Sequence, residues 1–305
     1  MLATRYLLRA FLACGFAFAL LGCGVSIPVT TTSTSTSAST PVSADLGGNW
    51  LLLGTMPAYF VSTGSTSTNL ALSVDVQGTN LVGAASLQAT CSSGFPFSVN
   101  FQSVLVGTVD ADGSFTLALP SGFTGEAFTI TGKVPTSHGA AWTGQVTYTS
   151  TLTTPCTTSL SSAFVATPVA DVTGTYAGQG NLVQFNGSLS VPPAPGVTYG
   201  FSEVLQQRVL LPSSTVISDI AMGGSIQTTG FPCFSKGTQS STFPSLIQGN
   251  EVFNQFTMDD GSTLQTLGVV TNTAATQLAV SFVEVVGGKC QGSYIFNSSP
   301  VLLSR

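Results

Sequence analysis

The chain has 305 residues, of which 43% are hydrophobic and only 6% charged, with 7 Lys and Arg against 12 Asp and Glu. Soluble domains carry about a quarter of their residues as charges, so Ser, Thr, Gly and Asn supply the polarity here. The basic residues beyond the first few, Lys133, Arg208, Lys236, Lys289 and Arg305, stand singly. This excludes a nucleic-acid partner, which needs clustered cations, and the hydrophobic content excludes disorder for the main body.

Residues 1–22 read as an export leader. Arg5 and Arg9 give a positive start, an apolar run follows from Ala10 to Leu21, and small residues surround Cys23. The run is short of the roughly 20 residues that span a bilayer as a helix. Leu20-Leu21-Gly22-Cys23 resembles the lipobox of bacterial lipoproteins, with Leu21 a less common occupant of its slot. The resemblance covers the leader alone. It implies cleavage after Gly22, a diacylglycerol on the Cys23 thiol and membrane lipid as a partner. In that family Asp after the cysteine retains the protein at the inner membrane, so Gly24 implies the outer one. Stable anchoring takes two or more acyl chains, which a triacylated Cys23 would carry. Loss of Arg5 and Arg9 with the leader leaves five basic and twelve acidic residues, a net −7.

Residues 23–44 form the next segment. Thr30-Thr31-Thr32-Ser33-Thr34-Ser35-Thr36-Ser37 has no apolar period and lies between Pro28 and Pro41. Such a stretch cannot offset its conformational entropy by burial, and it reads as a flexible tether. At roughly 3.3 Å per extended residue it reaches some tens of ångströms.

The remainder divides into residues 45–168 and 169–305, which open alike: Gly48-Asn49-Trp50 in one, Gly174-Thr175-Tyr176 in the other. Each then carries a cysteine, an Asp-Gly-Ser turn and a second cysteine: Cys91, Asp112-Gly113-Ser114 and Cys156, then Cys233, Asp260-Gly261-Ser262 and Cys290. That repeated order points to an internal duplication.

Within the first half Leu70, Leu72, Val74 and Val76 alternate with Ala71, Ser73, Asp75 and Gln77, and Phe97, Val99 and Phe101 keep the same period. This is the pattern of strands with one buried and one wet face. Asp110-Ala111-Asp112-Gly113 is a hairpin turn, and about eight strands follow one another in this half. The second half is read from Phe253, Phe256 and Met258 onward, through Leu264–Val270, Leu278–Val286 and Tyr294–Leu303. The predicted fold class is all-β: two tandem antiparallel meander domains after a disordered tether, each an up-and-down barrel or a β-sandwich. Strands joined by short turns and opening on Gly48-x-Trp50 resemble the avidin and lipocalin kind of barrel, and in lipocalins such a Gly-x-Trp sits on the first strand with its indole closing one end. The mature part resembles uncharacterised two-domain all-β envelope lipoproteins.

Four of the six cysteines remain once Cys14 leaves with the leader and Cys23 is acylated, in a compartment that oxidises thiols. Three pairings exist. The repeat order favours Cys91–Cys156 and Cys233–Cys290, and no cysteine stands at metal-ligand spacing from another or from a histidine. His138 lies in a turn, without a Gly-x-Ser-x-Gly elbow. Asp110-Ala111-Asp112-Gly113 opens like a calcium loop but lacks the closing Glu. Asp75, Glu126, Glu203 and Glu284 are the carboxylates that glycosidase chemistry would need in pairs. The reading is therefore a non-catalytic interaction or surface module with no cofactor and an envelope protein as partner. Its alternatives are a small-ligand barrel lined by Trp50, Phe101 and Trp142, or a polysaccharide hydrolase.

Overall fold

A computed structural model describes residues 45–54, 69–92, 96–121, 125–150, 159–187, 193–210, 217–240, 245–296 and 301–305. The leader, Gly22, Cys23, the tether and Cys156 lie outside the described residues. No α-helix occurs among the described residues, and Val42–Arg305 form one compact unit.

The first sheet consists of β1 (Gly48–Gly54), β2 (Asn69–Gln77), β3 (Asn80–Ser92), β4 (Pro96–Val109), β5 (Ser114–Ala118), β6 (Glu126–Lys133), β7 (Trp142–Ser150) and β8 (Ser159–Val169). Each strand pairs antiparallel with the next, and β1 returns to β8 from Asn49↔Val169 to Gly54↔Phe164, closing an eight-stranded barrel. The sandwich alternative is thereby removed for this half. The period of two places Leu70, Leu72, Val74 and, on β3, Leu81, Ala85 and Leu87 in the lumen.

The second sheet runs through β9 (Gly174–Gly187), β10 (Thr198–Leu210), β11 (Ile217–Thr229), β12 (Lys236–Gln239), β13 (Ser245–Gln248), β14 (Glu251–Met258), β15 (Thr263–Val270), β16 (Gln277–Val286), β17 (Gly292–Phe296) and β18 (Val301–Ser304). β12 and β13 each pair with β11 and β14, and β17 and β18 each pair with β16 and β9, so each couple forms one interrupted stave. Because β10 pairs with both β9 and β11, this ring also closes, as eight staves in meander order.

Both rings open on the same local device. Trp50 Nε1 donates to the Leu46 carbonyl at 2.8 Å. The Tyr176 hydroxyl lies 3.0 Å from the Val172 carbonyl and 2.7 Å from that of Ala275. In each case the aromatic enters the lumen two residues after a glycine, and its polar tip satisfies a buried carbonyl four residues back. The cysteines also correspond by ring position. Cys91 stands near the end of the third stave and Cys233 follows it, while Cys290 falls between staves seven and eight. The Asp-Gly-Ser turns correspond in sequence order but not in the ring. The first joins staves four and five (β4–β5), the second staves five and six (β14–β15). Their geometry is nonetheless shared. Gly113 and Gly261 adopt φ of 79° and 83°, and the Asp112 and Asp260 carboxylates each accept from the following Ser N–H, at 3.0 and 2.9 Å.

The barrels dock side by side through outward faces that the alternation predicts to be wet. Ala71 and Ser73 on β2 and Ser86 on β3 are fully buried there, and Asp75 nearly so. The β13–β14 turn seats Gly249 against the backbone of β1 and β2, its N–H donating to Ser73 Oγ at 2.8 Å. Ser86 Oγ donates to Glu251 Oε2 at 2.5 Å, Gln248 Nε2 to the Ala85 carbonyl at 3.2 Å, and Asn49 Nδ2 to Gln207 Oε1 at 2.9 Å. Ser73, Ser86, Gln248 and Asn49 are tolerated there because they are paired across the seam, while Asp75 is paired with Gln77 on its own strand. Gly249 has φ of 65°, and a Cβ there would meet Trp50 O, Ala71 Cβ and Leu72 N inside van der Waals distance. Gly249→Val is therefore expected to cost about 3 kcal/mol from overpacking and left-handed strain together, read as a lowered urea midpoint at unchanged circular dichroism.

Candidate functional site

The first lumen is filled by aromatic rings. Trp142 packs edge-to-face on Trp50, Phe115 and Phe164, with centroids 5.8, 5.2 and 5.2 Å apart. Two of the predicted lining residues, Trp50 and Trp142, are thus brought together as each other's packing partners. Phe101 stands on β4 opposite Leu87; its side chain lies outside the described residues. Trp142 Nε1 is buried without a hydrogen-bond partner.

One mouth of the second barrel is closed by residues 230–235. Phe231 turns inward against Tyr199, Phe201 and Tyr294, at 4.6, 6.1 and 5.0 Å, and stacks on Phe234 at 4.7 Å. The plug is held twice. Asp259 accepts from the Ser235 N–H at 3.1 Å and from its hydroxyl at 3.0 Å, bonds that hold the carboxyl below its ordinary range. Cys233 is disulfide-bonded to Cys290, with Cα atoms 6.1 Å apart. The junctions of staves three and four and of seven and eight face each other across an eight-membered ring, so this disulfide is a strap over the mouth. Beneath it the Tyr294 hydroxyl donates to the Cys290 carbonyl at 2.8 Å, and burial pushes the Tyr199 and Tyr294 hydroxyls up from the ordinary tyrosine range. The partner cysteine pair is described only at Cys91, which stands on β3 opposite Phe97.

The titratable residues singled out from the sequence are dispersed. His138 is exposed in the connection between β6 and β7. Asp112 is committed to its turn, where the Ser114 N–H and hydroxyl hold its carboxyl low. Asp75 accepts from Gln77 Nε2 at 3.0 Å and Glu126 from the Tyr148 hydroxyl at 2.9 Å. Glu284 pairs in register with Gln265 and Ser293, and burial raises its carboxyl. Glu203 is fully buried inside the second barrel, where Asn254 Nδ2 donates to its Oε2 at 3.2 Å. No hydrogen bond or register pair joins any two of Asp75, Glu126, Glu203 and Glu284 among the described residues. Among those residues no group of three or more His, Cys, Asp and Glu gathers as a metal site.

Sequence reasoning gave no role to Asn254 and Thr266, which flank Glu203. The signal was present: Tyr199, Phe201, Glu203 and Leu205 alternate, and so do Val252, Asn254 and Phe256. A polar residue at an apolar beat marks an interior polar group. At the other surface, Asp219 pairs with Arg208 (Oδ1 to Nε, 3.0 Å), and burial raises its carboxyl against the pull of that guanidinium.

The fold defines a class, two closed antiparallel meander barrels in tandem with aromatic-filled lumens. The chain matches no protein-family model and no curated protein.

Proposed function

We propose that this is an exported, lipid-anchored cell-envelope protein whose two barrels act as a non-catalytic interaction or surface module, its anchor being membrane lipid on Cys23. The observation that carries the reading is Leu20-Leu21-Gly22-Cys23 followed by a Ser/Thr-rich tether. The disulfide between Cys233 and Cys290 supports it, since such bonds persist in oxidising compartments. The polarity of the walls supports a body held outside the bilayer. The exposed outer positions of β7 are Thr143, Gln145, Thr147 and Thr149, and those of β9 include Thr175, Gln179 and Asn181. A membrane-spanning barrel carries the opposite arrangement, apolar outside and polar within. The partner of the barrels is then an envelope protein. A small-ligand reading has one observation in its favour, the unpartnered Trp142 Nε1, which an acceptor-bearing ligand would satisfy.

Cell fractionation tests the anchor. The wild type is expected in the outer-membrane fraction, and Cys23→Ser in the soluble envelope fraction with its fold retained. A Cys23→Ser protein that stays fully membrane-bound would sink the lipoprotein reading.

A further inference from the structure

Inside the second barrel, three oxygens stand together without partners. Glu203 Oε1, Asn254 Oδ1 and Thr266 Oγ1 are buried and none meets hydrogen-bond geometry, although the Thr266 hydroxyl stands near enough to the Glu203 carboxyl to favour its charged form. Asn254 and Thr266 are register partners on β14 and β15, and both neighbour the Glu203 carboxyl, which projects from β10 on the opposite wall. An unsatisfied buried oxygen costs about 1–3 kcal/mol, and an isolated buried carboxylate more. The number of hydrogens available decides what this layer can hold. With Glu203 ionised, the three oxygens share one hydrogen, that of Thr266, so one acceptor is left over whichever way it points. One added proton completes the set: Oε1–H donates to Asn254 Oδ1, and Thr266 Oγ–H donates to Oε1.

We propose that Glu203, Asn254 and Thr266 form a proton-binding site in the lumen of the second barrel, and that proton occupancy sets part of the folding stability of the chain. Burial without a charged neighbour agrees with this, lifting the Glu203 carboxyl to about 7 against the pull of the Thr266 hydroxyl and the Asn254 amide. The described titratable side chains sharing the lumen are tyrosines: Tyr176 on β9, Tyr199 on β10 and Tyr294 on β17. Arg208 and Asp219 pair with each other at the surface, Glu251 faces Ser86 of the first barrel, and Glu284 stands on the outer beat of β16. None of these charges opposes the proton at close range.

The folded chain takes up this proton at about 7 and the unfolded chain near 4.5. Between those values the folded state binds more protons, so the stability contributed is full below 4.5 and is lost as pH rises through 7. The full chain should show an infrared carbonyl band of a protonated carboxyl that disappears with a midpoint near neutrality and is missing from Glu203→Gln. Its folding constant should fall on the order of a hundredfold more between pH 5 and 8 than that of Glu203→Gln. Thr266→Val, which removes a donor that favours charge, should move the infrared midpoint upward. Should Glu203→Gln fail to fold, the wild-type and Thr266→Val titrations decide alone. A band absent at pH 5, or one titrating in the ordinary Glu range, would overturn the proposal, because another donor such as a trapped water then fills the site. Stability at pH 8 that differs among sodium, potassium and choline chloride would also overturn it, in favour of an alkali cation.

Discussion

Replacing Cys233 by serine is expected to lower stability by about 4 kcal/mol. The two cysteines are separated by 57 residues, and closing a loop of that size restricts the unfolded chain by this amount in the chain-entropy view. The loss should be read by urea unfolding of wild type and variant, each with and without a thiol reductant. The difference should be full under oxidising conditions and vanish in reductant, since reduction leaves the wild type equally unstrapped. A gap that persists in reductant would mean that the serine damages packing near Phe231 and Phe234. Both rings would then expose apolar surface for a reason unrelated to the strap.

Trp50→Ala carries the other large effect, about 3–5 kcal/mol. Trp50 is 1% exposed, packs against Trp142 and satisfies the carbonyl of Leu46, itself fully buried. The alanine removes the ring, leaves a cavity and strands an acceptor. Trp50→Tyr should cost much less, because a tyrosine at the same place in the second barrel already bonds the carbonyl four residues back. Thermal or urea unfolding of the two variants checks both values. Equal losses would show that a tyrosine at this place recovers neither the packing of the indole nor its bond to Leu46.

Lumen positions were legible wherever large apolar residues keep the strand period without interruption, as in Leu70, Leu72 and Val74 or Leu264 to Val270. The early strands of the second half were not. The inward beats of β9 are Tyr176, Gly178, Gly180 and Leu182, and the two glycines erase the hydrophobic signal. Their missing side chains are replaced by neighbours: Leu303 closes over Gly178, and Val301 and Phe296 over Gly180. That substitution of one strand's bulk for another's is a long-range fact, invisible to a local period. The same holds for Ser73 and Ser86, whose polarity reads as solvent contact until a second barrel lies across them. The pairing of Cys233 with Cys290 was legible from the repeat order. The ring position of the Asp-Gly-Ser turns was not, since a turn motif reports its own hydrogen bonds and not which staves it joins. Trp50 and Trp142 are recognisable as lumen residues, whereas Glu203 reads only as one acid among four until β10 is seen to carry it inward.

Closure of both rings has a bearing on how such a chain stays dispersed. With 6% charged residues, this protein has little electrostatic repulsion to keep copies apart. A strand-rich chain of that kind is at risk wherever a strand offers free N–H and C=O groups along one side, since any neighbour can add to it. Here every described strand has a partner on each flank along at least part of its length, including the split staves β12/β13 and β17/β18, although β4 meets β5 only from Val106 to Val109. The backbone itself therefore performs the task that surface lysines perform in open sheets, and the walls are free to be built of threonine, serine and glutamine.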